Sequence, residues 1–231
     1  MRLDQYLKEA GYYPSRQKAQ AAIQAGHVSL DGTVVKKAST PYEGARITCQ
    51  QGPSYVSRSA LKLKGALDAW GLSLKGLSGL DVGASTGGFT EVALEYGAIK
   101  MVAVDVGTDQ LAPRLKGDDR VISMEKTHIL KLTHLDPVDF IVIDVSFISS
   151  LKVLAHLKTI TSFKWVFVLF KPQFEAGEKL KSPVVKSPKL YQKIQTSYER
   201  QVVALGYTIH HRYTPIKGKE GNQEIMYHLE P

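Results

Sequence analysis

Cysteine is nearly absent. Cys49 stands alone in 231 residues, so no disulfide can form within the chain, and a reducing compartment suits it. Long hydrophobic runs are absent too. The run from Trp165 to Phe170 is strand length, far below the ~20 apolar residues that cross a bilayer. Met1-Arg2-Leu3-Asp4-Gln5 carries no apolar stretch of the kind that directs secretion. These absences lead us to expect a cytoplasmic protein without a membrane partner. Histidine and cysteine do not cluster, so no metal site is expected. Acidic residues are in deficit: 22 Asp and Glu face 30 Lys and Arg, a net charge of +8. A basic surface favours phosphate-rich partners, because contact with phosphate releases counterions. No internal repeat or low-complexity tract occurs. A hydrophobic share of 43% supplies real cores, and the length suits one ordinary domain plus a small one.

The first fifty residues read as a small module. Leu3, Tyr6, Leu7 and Ala10 recur at helical spacing before Gly11. A second helix is predicted from Ser15, a candidate N-cap, through Ile23 to Gly26. Asp31-Gly32 between His27–Leu30 and Thr33–Val35 signals a tight hairpin. We therefore set a domain at 1–48, a polar linker with Gly52 and Pro53 at 49–54, and a second domain at 55–231. In the second domain, strand-like runs alternate with helical patterns. Strands are predicted at 79–82, 101–106, 120–124, 139–145 and 165–170, with helices at 88–96, 149–157 and 190–205. Such alternation predicts an α/β fold with a mostly parallel sheet. The last two strands, 207–213 and 224–229, read as an antiparallel edge hairpin.

The first of these strands runs into Asp81-Val82-Gly83-Ala84-Ser85-Thr86-Gly87-Gly88-Phe89. A strand passing through a glycine-rich turn into a helix lets backbone approach a ligand closely. The spacing is not that of a dinucleotide fingerprint, since Ser85 occupies its second glycine position. Nor is it a phosphate-binding P-loop, since Phe89 stands where lysine would be needed. Asp81 suits a cofactor bearing an ammonium group, such as S-adenosyl-L-methionine. Asp105-Val106 ends the next strand, where an acid can accept both ribose hydroxyls of an adenosine. Glu125, after the third strand, is expected near the adenine. His128 reads as a surface or packing residue. Asp144 and Lys171 each follow a buried apolar strand, so they should be neighbours on one rim. Glu224 joins them only if its hairpin starts at that rim. Lys62 lies on a predicted helix, where lysine is usually a solvated charge.

Several blocks, in order, resemble the TlyA family, also labelled haemolysin A, whose catalytic part is like the FtsJ/RrmJ ribose methyltransferases. They are Tyr55-Val56-Ser57-Arg58, the glycine turn, Ala103–Gly107, Asp144–Ser149, Lys171–Gly177 and Gly221–Glu224. The N-terminal residues Arg2-Leu3-Asp4, Ser15-Arg16 and Asp31-Gly32 resemble an S4 RNA-binding domain. The resemblance implies a Rossmann-like sheet behind an α+β S4-like domain. It also implies a catalytic tetrad at Lys62, Asp144, Lys171 and Glu224, with transfer to a ribose 2′-hydroxyl of ribosomal RNA, cytidine being the expected nucleotide. Within it, Lys171 is assigned as base, Asp144 as its orienter, and Lys62 and Glu224 as groups that position the ribose. The chain departs from the family pattern at 178–188 and by carrying His128.

Arg2, Arg16, Lys18, Lys36, Lys37 and Arg58 are expected to contact RNA phosphates in ribosomal RNA or a ribosomal subunit, joined by lysines between 179 and 193. Competing readings are an inactive RNA-binding or ribosome-assembly module and, least favoured, a membrane-active haemolysin. No Asn/Asp-Pro-Pro-aromatic motif of amino methylases occupies 144–147, and Cys49 lies outside the half where base methylation would need a cysteine.

Overall fold

The computed structural model describes residues 1–13, 15–49, 55–177, 180, 182–218 and 221–231. The chain divides into two compact units, Met1–Ser54 and Tyr55–Pro231.

In the first unit, helices α1 (Leu3–Glu9) and α2 (Arg16–Gln24) precede strands β1 (Val28–Leu30), β2 (Thr33–Val34) and β3 (Ile47–Cys49). Leu3, Leu7, Ala19, Ile23 and Val28 are fully buried and form its core. Ser15 caps α2 by accepting the Lys18 N–H at 3.3 Å. Asp31 and Gly32 both have positive φ, as a tight hairpin turn requires, and Leu30 pairs with Thr33. The third strand corrects the sequence reading, which put Cys49 in a linker. Cys49 ends β3, in register with Val28 on the other side of β1. Ile47 and Cys49 pack on the small core while Thr48 is exposed, so one three-residue alternation makes the strand. Residues 50–54 of the expected linker lie outside the described residues.

The second unit runs α3 (Ala60–Trp70), β4 (Ser78–Val82), α4 (Gly88–Glu95), β5 (Lys100–Val104), α5 (Pro113–Lys116), β6 (Val121–Met124), a 3-10 turn (Ile129–Lys131), β7 (Phe140–Ile143), α6 (Ser150–Ile160), β8 (Trp165–Phe170), α7 (Pro172–Glu175), α8 (Pro188–Ala204), β9 (Thr208–Tyr213) and β10 (Ile225–Glu230). Its sheet has the order β6-β5-β4-β7-β8-β10-β9, the first five strands parallel and β10 antiparallel to β8 and β9. The central strands are apolar on both faces because both are covered. Leu63, Leu67 and Val92 from α3 and α4 pack on Met101, Phe140 and Phe167. Val153, Leu157, Tyr198 and Val202 from α6 and α8 pack on Ile141, Ile143 and Phe170 of the other face. The chain steps from β4 to β5 on one side and later to β7 on the other. That reversal opens a crevice beyond the carboxyl ends of β4, β5 and β7.

Candidate active site

The crevice is built on the turn after β4. Gly83 has φ +82°, and a Cβ there would lie 2.9 Å from the Asp144 carbonyl oxygen, so only glycine lets the two loops touch. Ser85 also takes a left-handed conformation, as does Gly87, at φ +94°, immediately before α4. Asp81 is fully buried. Its Oδ2 accepts the Thr90 N–H at 2.9 Å and the Thr90 hydroxyl at 2.7 Å, whereas Oδ1 has no partner. Burial, reinforced by the charge of Asp144 and opposed by the Thr90 hydrogen bonds, pushes this carboxyl up to about 7. Asp105 follows β5 and ties two loops together, accepting Ser85 N–H at 2.8 Å and Gly107 N–H at 2.7 Å.

Two adjoining hollows lie here. The larger, about 600 Å³, runs past Ser85, Asp105 and Val106 to Gln110, Thr127 and His128. The smaller, about 230 Å³, is lined by Ser57, Ser59, Asp81, Ala84, Thr86 and Phe89 among others. Gly83, Ser85, Asp144 and Ser146 belong to both walls. Gly87 and Gly88 line neither; they are needed because side chains there would strike Leu111 and Leu115 or Ser57 and Ser59.

Glu125 is a correction. Its carboxylate does not face the hollow. It accepts the backbone N–H groups of Asp109, Gln110 and Leu111 at 2.9–3.1 Å and pairs with Lys116 at 3.0 Å. It therefore braces the loop that carries Gln110. His128, read from sequence as a surface or packing residue, lines the larger hollow, and its Nδ1 caps the 3-10 turn by accepting Leu130 N–H. Gln110, Thr127 and Ser146 were not singled out by residue type; their position after strand ends was the available signal.

The four candidate reacting groups form two ion pairs. Lys171 Nζ lies 2.6 Å from Asp144 Oδ1, and both residues line the smaller hollow. Lys62 Nζ donates to Glu224 Oε2 at 2.5 Å, with both side chains almost wholly buried. Lys62 is thus no solvated charge. Register explains the arrival of Glu224: Ile225 pairs with Phe170, so Glu224 stands beside Lys171 at the end of β8. Gly218 packs against the Glu224 carboxylate, and a Cβ there would collide with it. Asn222 anchors the segment that departs from the family pattern, donating to Pro183 O at 2.7 Å and accepting Val185 N–H at 2.9 Å. Residues 178, 179 and 181 of that segment lie outside the described residues.

A sheet of this order with a glycine turn after its first strand can be compared with known proteins. The family model for the FtsJ-like methyltransferases matches residues 55–230. The chain belongs to that family. An S4 domain model matches residues 1–45 of the same methyltransferase. It is 39% identical to the 16S/23S rRNA (cytidine-2'-O)-methyltransferase TlyA of Mycobacterium tuberculosis, over 97% of this chain and 88% of that protein. A solved Streptococcus thermophilus structure carrying the hemolysin name is 34% identical, with a TM-score of 0.72 and coverage of 100% of this chain and 88% of that one. An S-adenosylmethionine dependent methyltransferase from Mesorhizobium loti shares the fold at 16% identity and TM-score 0.51, covering 72% of this chain and 96% of that one.

In the S4 unit of this methyltransferase, Arg2, Arg16, Lys18, Lys36 and Lys37 are exposed, as is Arg58 of the catalytic unit. Arg2 and Arg16 are held in place from beneath. Fully buried Asp4 accepts Arg2 Nε at 3.0 Å, Arg16 Nε at 2.9 Å and the Gln20 amide at 2.5 Å. Burial alone would raise the Asp4 carboxyl, but these hydrogen bonds outweigh it and hold it well below the usual range. Among the described residues, no helix is long and apolar enough to cross a membrane.

Proposed function

We propose that this methyltransferase moves a methyl group from S-adenosylmethionine to the 2′-hydroxyl of a cytidine in ribosomal RNA, alone or within a ribosomal subunit. The observation that carries the reading is the shared wall of the two hollows, where the glycine turn meets the Lys171–Asp144 pair. The residues present fit the cofactor. The unpartnered Oδ1 of Asp81 would take its ammonium. Asp105 keeps lone pairs for ribose hydroxyls, and Val104, Ile129 and Val145 offer an apolar bed for adenine. When bound, the cofactor supplies an electrophilic methyl on a sulfonium.

The chain's own residues would do the rest. Lys171 would receive the ribose hydroxyl proton at Nζ, with Asp144 holding the amine at the rim by its charge. The Lys62–Glu224 pair would hold the ribose so that its oxygen meets the methyl in line, and such positioning supplies much of the acceleration. The exposed arginines and lysines of the S4 unit would bind phosphates without reading sequence.

The test supplies radiolabelled S-adenosylmethionine with bacterial 16S RNA, 23S RNA or either ribosomal subunit, and Asp144→Ala as control. The expected product is label in an alkali-resistant dinucleotide, absent with the variant. Cofactor binding without label in any RNA or subunit would instead favour a binding module with an inactive methylase fold.

A further inference from the structure

The loop after β7 and the turn after β8 are stitched together at both ends. At the far end, Glu175 accepts the Ser149 hydroxyl, the Ser150 N–H at 2.7 Å and the Ser150 hydroxyl at 2.8 Å. Between the ends, the Phe147 and Phe174 rings lie 5.4 Å apart. At the near end sits Lys171. Its contact with Asp144 Oδ1 is short, but it falls outside hydrogen-bond geometry, so the carboxylate attracts the ammonium without aiming it. The contact that meets hydrogen-bond geometry runs from Lys171 Nζ to Ser146 Oγ at 3.1 Å. A lysine amine on a four-carbon stem keeps its direction only where such a partner fixes it.

We propose that Ser146 is a positioning residue for Lys171, its hydroxyl setting the direction in which the amine faces the ribose. The inference rests on Lys171 being the proton acceptor. Coulomb attraction by Asp144 keeps Nζ near the rim and is tolerant of angle. Proton transfer is not tolerant: a displacement of about 1 Å can cost roughly 100-fold. Ser146 is exposed on its loop, so truncating it leaves the core intact. Its hydroxyl is also the one on this loop that reaches the amine, whereas Ser149 and Ser150 are bound to Glu175.

The test compares Ser146→Ala, Ser146→Thr, Glu175→Gln and Lys171→Ala under single-turnover conditions from pH 6 to 10, alongside S-adenosylhomocysteine affinity by calorimetry. For Ser146→Ala the methylation rate falls roughly 10- to 100-fold. The acid limb of its profile moves to lower pH, because an acceptor has been removed from the ammonium. Its affinity for S-adenosylhomocysteine stays within about threefold of wild type, and Ser146→Thr restores most of the rate. Glu175→Gln, which loosens the loop at its other end, lowers the melting temperature without moving the acid limb. A wild-type rate and profile for Ser146→Ala overturn the inference. So does a rate loss matched by an equal loss of cofactor affinity, or an identical limb shift in Glu175→Gln. Wild-type turnover by Lys171→Ala overturns instead the assignment of the base on which the inference rests.

Discussion

Asp81 is the residue with most at stake. It is fully buried, half of its carboxylate is unpartnered, and Asp144 and Asp105 add like charge. Its pKa is raised from the ordinary 3.8 to about 7. A raised carboxylate pKa means that the folded state holds the proton more tightly than the unfolded chain. The ligand-free protein therefore loses stability from this group as pH climbs from about 4 to 7, and the loss is complete above 7. Asp81→Asn removes the penalty. It should melt higher than wild type at pH 8, by on the order of 5 °C, with the gap closing towards pH 4. The same substitution should weaken S-adenosylhomocysteine binding, because no carboxylate remains for the ammonium. Scanning fluorimetry and calorimetry at each pH check both. An Asn variant that melts lower at pH 8 would sink the account. At this scale the sequence spoke where chemistry and strand ends coincided: Asp105, Asp144 and Lys171 each follow an apolar strand, Asp81 lies just before the end of β4, and all four line the crevice. Residue type alone made Lys62 a solvated charge and only the resemblance put it in the tetrad, because its partner Glu224 is 162 residues away; Glu125 was misjudged, since its carboxylate is consumed by three N–H groups of a loop that shows no pattern.

At the scale of elements, two helix starts meet. Gly88 opens α4, and a Cβ there would lie 2.2 Å from Ser57 Oγ, 2.6 Å from Ser59 Oγ and 3.1 Å from the backbone nitrogen of Ala60, the first residue of α3. The hydroxyls can rotate; the backbone nitrogen cannot. Gly88→Ala must push α3 outward, and α3 carries Lys62 towards Glu224. Overpacking of this kind costs about 1–3 kcal/mol, and the methylation rate should fall at least tenfold while the N-terminal unit is unaffected. Unchanged melting and rate would show that the two helices yield without harm. The central strands of the sheet were legible to within a few residues because both of their faces are covered, which writes continuous Val, Ile, Leu and Phe runs into the sequence. Strand 165–170 is found with the bounds expected of it. Several of the shortest elements were not legible. β3, α5 and α7 are too short to show a period and depend on what they pack against.

At the scale of the whole molecule, each unit has its own buried core. Leu3, Leu7 and Ile23 close one, and the two faces of the seven-stranded sheet close the other. The basic residues of the S4 unit sit on a surface, with Asp4 spending none of its own charge on solvent. A fragment of residues 55–231 should therefore fold cooperatively and bind S-adenosylhomocysteine within about threefold of the full chain, because both hollows are lined by residues of that unit alone. It should lose most of its affinity for ribosomal RNA. The salt dependence reports why. If Arg2, Arg16, Lys18, Lys36 and Lys37 make up to five phosphate contacts, as proposed, the slope of log affinity against log salt should be shallower in the fragment by roughly 3 to 4. Filter binding between 50 and 300 mM salt measures it, with cofactor affinity as the check on folding. If the fragment keeps both the affinity and the slope, the phosphate contacts belong to Arg58 and the lysines of the catalytic unit. If affinity falls while the slope stays, the S4 unit holds RNA by shape and stacking in place of charge.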